Sequence, residues 1–444
     1  MARKPPLTDK PLNILLVGGG GREHALAWRL KKSRSCANLW TTHPTNPGIK
    51  AIARPMGFDF NLKEFYRVEQ FCRRESIDLV VVGPEDALAA GIADALTNDN
   101  TAVFGPTREA AMLEADKGFA KQLMRGASIP TGEARVFRHH EEALAYIQSR
   151  ETPQVIKASG LAAGKGVFVP DSLAEAEDAL DRLMRQREFG AAGDTVVIED
   201  RLSGPEVSVF ALVDGRNILM LDACQDHKRI GDGDTGPNTG GMGAYCPTPI
   251  IDPHTLLRVE RDIIVATVDA LRREGIEYRG VLYAGLMLTP AGPKVLEFNA
   301  RFGDPECQCL VHRIGGDFAR LLHATATGRL QDLTEDDISS TNQHTCCIVL
   351  ASAGYPGPFT RDLPIEGIED AEGVSGVTVF HAGTKRASGG QLQTAGGRVL
   401  NVVGTGDSLV EARERAYQAA ELIHFDGKTL RTDIANQAIA HAAR

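Results

Sequence analysis

The segment "NILLVGGGGREHALAWRL", residues 13–30, reads as strand, glycine turn and helix. "DLVVVGPEDALAAGIADAL", residues 78–96, repeats that plan, and "AVFG", 102–105, is another short buried strand. Apolar strands that alternate with helices bury themselves in a parallel sheet covered by helices on both faces. The chain therefore starts as an α/β domain, and the pattern ends near residues 107–114. With 444 residues, one core is too small a container, and about three domains are expected.

The pattern then changes. "ADKGFAKQLMRG" reads as a helix, "QVIKASGLAAGKGVFV" (154–169) as strand, glycine loop and strand, 172–187 as a helix and "TVVIED" (195–200) as a strand. "EVSVFALVDGRNILML" reads as an antiparallel hairpin turning at Asp214-Gly215. "RGVLYAGLMLTPAGPKVLEFNAR" reads as a second hairpin, turning near 290–293. From about residue 330 come strands at "HTCCIVLAS", "VTVFHAG" and "GRVLNVVG", then the helix "DSLVEARERAYQAAELI".

A formal charge of -9 argues against broad nucleic-acid binding, which calls for a basic domain. It leaves room for a phosphorylated small substrate, since a few basic groups and backbone amides suffice. No apolar run is long enough to span a bilayer, and the first residues lack the apolar core of a signal peptide. Eight cysteines without a CxxC pair fit reduced cytosolic thiols. Cys307, Cys309, Cys346 and Cys347 could ligate a metal, but buried inert thiols are the favoured reading.

Three motifs carry chemistry. In "VGGGGREHA" a dinucleotide fingerprint fails: Glu23 stands where the third glycine belongs, and no acid ends the next strand. What remains is an amide cradle at a helix N-terminus, weighed against a ligand-free tight turn. In "KASGLAAGKG", Lys157 ends one strand and Lys165 begins the next, with Gly160, Gly164 and Gly166 between. Such a loop can fold over a polyphosphate, with lysines for the charge; the alternative is a flexible hairpin tip. It is not a Walker A loop. In "VLEFNARFGDPE", residues two apart share a strand face, so Glu297, Asn299 and Arg301 point together. A carboxylate beside an amide oxygen suits Mg²⁺, and an arginine next to them suits an oxyanion. The alternative is an edge strand with a solvated salt bridge. "DHKRIGDGDTGPNTGGMG", 226–243, shows no apolar periodicity and reads as neither helix nor strand. Long unstructured loops are usually functional or disordered, and the expectation is a lid that is mobile or poorly ordered without ligands, weighed against an ordered, static loop. With no G-x-S-x-G and no HExxH, the chemistry indicated is phosphoryl transfer run by positioning and electrostatics.

In this order, "KASGLAAGKG", "VIED", "GPEVS", "DHKRIGDGDTGPNTGGMGAY" and "EFNARFGDPE" resemble the ATP-grasp ligases, and among them the glycinamide ribonucleotide synthetases. The resemblance covers nearly the whole chain. It implies a preATP-grasp parallel-sheet domain (12–115), an ATP-grasp α+β pair (116–329) with a mobile lid subdomain at about 130–200, and a small C-terminal α/β domain (330–444). The sequence departs from the family pattern at Ser159, where an acid is usual, and in "RTDIANQA", where the change is expected to affect packing only.

The resemblance also implies roles. Lys117, Lys157, Gly164 and Lys165 face ATP phosphates. The backbone from Glu199 through Asp200 to Leu202 meets adenine, and Glu206 the ribose. Glu297 and Asn299 hold Mg²⁺ or Mn²⁺. Gly20, Gly21, Arg22, Glu23 and Glu85 line the site for 5-phosphoribosylamine. Asp226, His227, Lys228 and Arg301 meet substrate groups, and Arg301, Lys157 and Lys228 are the catalytic set. The implied partners are ATP, glycine and 5-phosphoribosylamine, for a cytoplasmic monomer that binds neither nucleic acid nor membrane.

Overall fold

A computed structural model of the chain describes residues 10–162 and 165–442. The first sheet is built from β1 (Leu12–Val17), β2 (Cys36–Thr41), β3 (Arg54–Pro55), β4 (Leu79–Val82) and β5 (Ala102–Phe104). All pairs are parallel, in the order β3-β2-β1-β4-β5. Both faces of β1 are covered. Leu15 and Val17 join Val80 and Val82 in one apolar cluster, while Ile14 and Leu16 join Leu79 and Val81 in another. That explains the unbroken apolar runs, each such side chain contributing about 1.5–3 kcal/mol on burial. Chain order reverses between β1 and β4, so the turns after these strands open a crevice at their C-terminal ends.

The second sheet holds β6 (Ala134–Phe137), β7 (Val155–Ala158), β8 (Val167–Phe168) and β9 (Val196–Glu199), antiparallel in the order β6-β9-β7-β8. Helices His140–Gln148 and Leu173–Leu180 cover it through Ala143, Ile147, Ala176 and Leu180.

Next come β10 (Glu206–Asp214), β11 (Ile218–Met220), β12 (Gln225–Asp226), β13 (Arg229–Gly231), β14 (Thr235–Asn238), β15 (Gly243–Cys246), β16 (Arg279–Thr289) and β17 (Gly292–Asn299). A third sheet takes four of them, antiparallel, as β11-β10-β16-β17. The β10–β11 turn is set by Asp214, whose Oδ1 accepts from the N–H groups of Arg216 and Asn217, and by Gly215 at φ +94°.

The last sheet uses β18 (His344–Ser352), β19 (Val377–His381) and, after a small hairpin of β20 (Thr384–Arg386) and β21 (Leu392–Thr394), β22 (Arg398–Gly406). Its order is β12-β15-β18-β22-β19, so it begins with strands from mid-chain. Cys307, Cys309, Cys346 and Cys347 are buried free thiols. Among the described residues, no helix is long and apolar enough to cross a membrane.

One expectation is corrected here. The stretch 226–243 is not structureless: β12, β13, β14 and β15 run through it, and β13 and β14 form their own hairpin. Its tip is docked, since Arg431 pairs with Asp234 at 2.8 Å and the N–H of Thr432 donates to Asp232 at 2.8 Å. Apolar periodicity could not reveal a hairpin held by polar side chains. The segment "RTDIANQA" supplies the docking groups.

Candidate active site

A cleft of about 940 Å³ lies between the second and third sheets. The helices after β1 and β4 add Arg22 and Glu85 to its wall, and β22 of the last sheet adds Arg398.

On the second-sheet side, Lys157 is buried near the end of β7. Its Nζ donates to the Leu296 carbonyl at 3.1 Å and pairs with Glu199, the last residue of β9. Lys121 grips the same carboxylate from the helix Lys117–Gly126 and donates to Thr131 Oγ1 at 2.6 Å. Burial opposes the charge on Glu199, but Lys157 and Lys121 outweigh it and hold its carboxyl below the usual range. Lys117, one turn before Lys121, also lines the cleft. Burial pulls its pKa down against the pull of Glu297.

On the third-sheet side, β17 carries a bulge. Leu286 pairs with Val295 and Gly285 with Glu297, so Leu296 has no opposite number. An extra residue re-aims the strand locally, and it is the Leu296 carbonyl that receives Lys157. Glu297 and Asn299 both line the cleft. Burial works against the charge on Glu297, yet Lys228, Lys117 and Lys157 draw its pKa down to about 2. An ionised carboxylate next to an amide oxygen is a donor set that fits Mg²⁺ or Mn²⁺.

Arg301 lines the cleft too, although β17 ends at Asn299 and the shared strand face does not extend to it. Its Nε lies 3.1 Å from Glu85 Oε2 and its Nη2 2.9 Å from Glu114 Oε1. The other Glu114 oxygen accepts from the Ala300 N–H at 2.7 Å. Burial pushes the Glu114 carboxyl up despite Arg301. Glu85 is drawn down to about 2 by Arg301 and Arg22, against burial.

Lys228 Nζ stands 3.0 Å from Glu206 and 4.0 Å from Glu297. Asp226 lines the cleft with its Oδ1 buried and without a hydrogen-bond partner among the described residues. Burial, then Glu306, pushes this carboxyl well up. Asp200 and Leu202 line the same wall.

Other expected residues lie elsewhere. Glu23 folds back to cap its own helix, accepting from the Gly20 N–H at 2.6 Å and from Arg22 Nε at 2.7 Å. Gly21 packs against Asn401 and Gln308, so tightly that a Cβ there would strike the Asn401 amide. Gly20, Gly21 and Glu23 are not among the residues that line the cleft. The Lys165 ammonium lies 3.4 Å from the Pro356 carbonyl, toward the C-terminal part of the chain. His227, by contrast, does line the cleft; it is largely buried, and its Nε2 accepts from the Ala435 N–H at 3.1 Å. Gly164 lies outside the described residues.

Sequence reasoning missed Lys121, Glu114, Glu306, Asp304 and Arg398, all of which line the cleft. Lys121 was within reach, four residues after Lys117 on one helix face. Asp304 and Glu306 sit inside the quoted motif. Glu306 Oε1 accepts from Tyr283 at 2.7 Å and Ser208 at 3.0 Å, and Asp304 pairs with Arg398 at 3.1 Å. Nothing local marks Arg398.

Two lysines on one carboxylate face a carboxylate–amide pair across a cleft between two antiparallel sheets, an arrangement suited to a polyphosphate and a hard cation. Comparison carries this further. Profiles of the phosphoribosylglycinamide synthetase N domain, ATP-grasp (A) domain and C domain match residues 12–114, 115–307 and 345–437. The phosphoribosylamine–glycine ligase of Rhodopirellula baltica is 47% identical over 97% of this chain and 98% of its own length. The crystal structure of the Thermotoga maritima phosphoribosylamine–glycine ligase covers 95% of this chain and 100% of its own, at 33% identity and TM-score 0.81. The biotin carboxylase domain of Hydrogenobacter thermophilus 2-oxoglutarate carboxylase, a complex with MgADP and bicarbonate, covers 95% of this chain and 92% of its own. At 17% identity and TM-score 0.70, it shares the fold alone. The chain belongs to the phosphoribosylglycinamide synthetase family.

Proposed function

We propose that the chain ligates glycine to 5-phosphoribosylamine at the expense of ATP, giving 5-phosphoribosylglycinamide, ADP and phosphate in purine synthesis. It does so as a cytoplasmic monomer that uses Mg²⁺ or Mn²⁺ and binds neither nucleic acid nor membrane. Residues 12–115 receive phosphoribosylamine, 116–329 receive the nucleotide, with about 130–200 closing over it, and 330–444 back the site. The observation that carries this reading is the convergence of Lys157, Glu199, Glu297, Asn299 and Arg301 on one cleft, in a chain of this family.

In this reading a glycine carboxylate oxygen attacks the γ-phosphorus, ADP leaves, and glycyl phosphate forms. The amine of phosphoribosylamine then attacks the acyl carbon and phosphate departs. An anomeric amine is less basic than an alkyl amine, so a fair fraction is neutral at physiological pH. Lys117 and Lys157 offer charge to the phosphates. Glu199 keeps Lys157 aimed, since the two are paired at the cleft floor. Arg301 orients the glycine carboxylate and stabilises the acyl phosphate. A metal held by Glu297 and Asn299 would neutralise phosphate charge.

The test is ADP formation with glycine alone, with phosphoribosylamine alone, with both, and with bicarbonate replacing glycine. ADP should appear at full rate only with both substrates. Full-rate ADP formation driven by bicarbonate would overturn the reading in favour of a carboxylating enzyme.

A further inference from the structure

Lys228 sits between two carboxylates of the cleft, yet its own stretch of chain has little apolar anchorage. The His227 backbone pairs with Gly243 and Met242, and one distant segment, residues 431–435, adds a tie on each side of Lys228. Before Lys228, the His227 ring accepts from the Ala435 N–H at 3.1 Å. After it, the Arg229 carbonyl accepts from Arg431 Nη1 at 3.1 Å. The Lys228 carbonyl itself accepts from the N–H of Thr239 at 2.7 Å and its Oγ1 at 2.8 Å, which ties it to the returning arm of the hairpin.

The tip is fastened as well. Arg431 Nη1 donates to Asp234 at 2.8 Å, while its Nε and Nη2 fork onto the Asp433 carboxylate at 2.8 and 2.7 Å. Asp433 also accepts from the Gly233 N–H at 2.8 Å. Asp232 takes both the N–H and the hydroxyl of Thr432. Arg431 is 1% exposed. A guanidinium that committed to carboxylates is expensive to bury for packing alone. Burial, then Arg431, pushes the pKa of His227 down, which leaves its ring neutral and its Nε2 free to accept.

We infer that Arg431 is a positioning residue for the active site: it clamps the β13–β14 hairpin so that the Lys228 ammonium stays between Glu206 and Glu297. The catalytic part of this inference rests on the ligase reading of the cleft. The clamp itself does not, and the experiment separates the two.

Limited trypsin digestion of the ligand-free full chain reads the clamp directly, because Lys228 and Arg229 are both cleavage sites. Arg431→Met should speed cleavage there by about tenfold or more, since the tip is released into local opening. In the ADP assay, kcat should fall by about tenfold while KM for ATP changes by less than about threefold, and Arg431→Lys should recover part of the loss. On a Lys228→Met background, Arg431→Met should cost less than about twofold more, because residues that act through one another are not additive. A folded Arg431→Met chain with wild-type trypsin resistance and kcat overturns the inference. So does a full additional loss on the Lys228→Met background. If Arg431→Met does not fold, Asp232→Asn at the exposed tip is read the same way, with a milder gain in cleavage expected and wild-type behaviour fatal. Should wild-type protein make no ADP with glycine and phosphoribosylamine, the ligase reading fails while the trypsin result still decides the clamp.

Discussion

Glu297→Gln is expected to fold normally and to lose about 10²–10³-fold in ADP formation, the loss typical when a preorganised charge contact to the reacting groups is removed. The substitution is isosteric and keeps one oxygen. What it removes is the negative charge that three lysines hold in place, Lys228, Lys117 and Lys157. A hard cation needs that charge more than it needs the oxygen count. The apparent Mg²⁺ requirement should therefore rise, and excess Mg²⁺ should recover only part of the rate. Glu297→Asp keeps the charge but withdraws it by one methylene, so an intermediate rate is expected. Circular dichroism establishes that each variant is folded, and ADP formation is then titrated with Mg²⁺ at saturating ATP. Near wild-type turnover of Glu297→Gln at saturating Mg²⁺ would remove Glu297 from the metal site.

Glu297 was visible in the sequence because its partner is two residues away on a strand. The same holds for the first sheet, where β1 and β4 are apolar on both faces, and for the β10–β11 hairpin with its Asp214-Gly215 turn. Each is a local pattern with a local physical cause. The parts that stayed hidden depend on distant contacts. The Glu114 carboxylate meets the Ala300 N–H from 186 residues away. Asp232 meets Thr432 across 200 residues. The β13–β14 hairpin carries no alternation of apolar and polar residues, so only its docking partners make it a defined structure. Lys165 makes a distant contact too: its ammonium lies by the Pro356 carbonyl, 191 residues away, which the loop pattern does not encode. The resemblance implies a substrate role for Glu23; three residues past the N-cap, its carboxylate caps the helix.

Arg301→Met is expected to damage stability and catalysis together, and the two losses can be separated. Arg301 links Glu85 and Glu114 across the crevice. Without it, Glu114 remains buried with the Ala300 N–H but loses its paired guanidinium, and stripping one partner from a buried pair costs about 3–5 kcal/mol. Burial already holds the Glu114 carboxyl above its usual range with Arg301 present, so removing the arginine raises it further. A carboxyl whose folded pKa lies above its unfolded one keeps its stability below the unfolded value and loses it as pH rises through the folded value. The destabilisation of Arg301→Met should therefore be smaller near about pH 5 than near about pH 8 in urea unfolding. Adding Glu114→Gln removes the stranded charge while leaving an oxygen for the Ala300 N–H. The double variant should regain most of the stability at neutral pH. It should not regain turnover, which is expected to stay down by about 10²–10³-fold because no guanidinium remains for the glycine carboxylate or the acyl phosphate. Recovery of both stability and ADP formation in the double variant would reduce Arg301 to a structural bridge for Glu85 and Glu114.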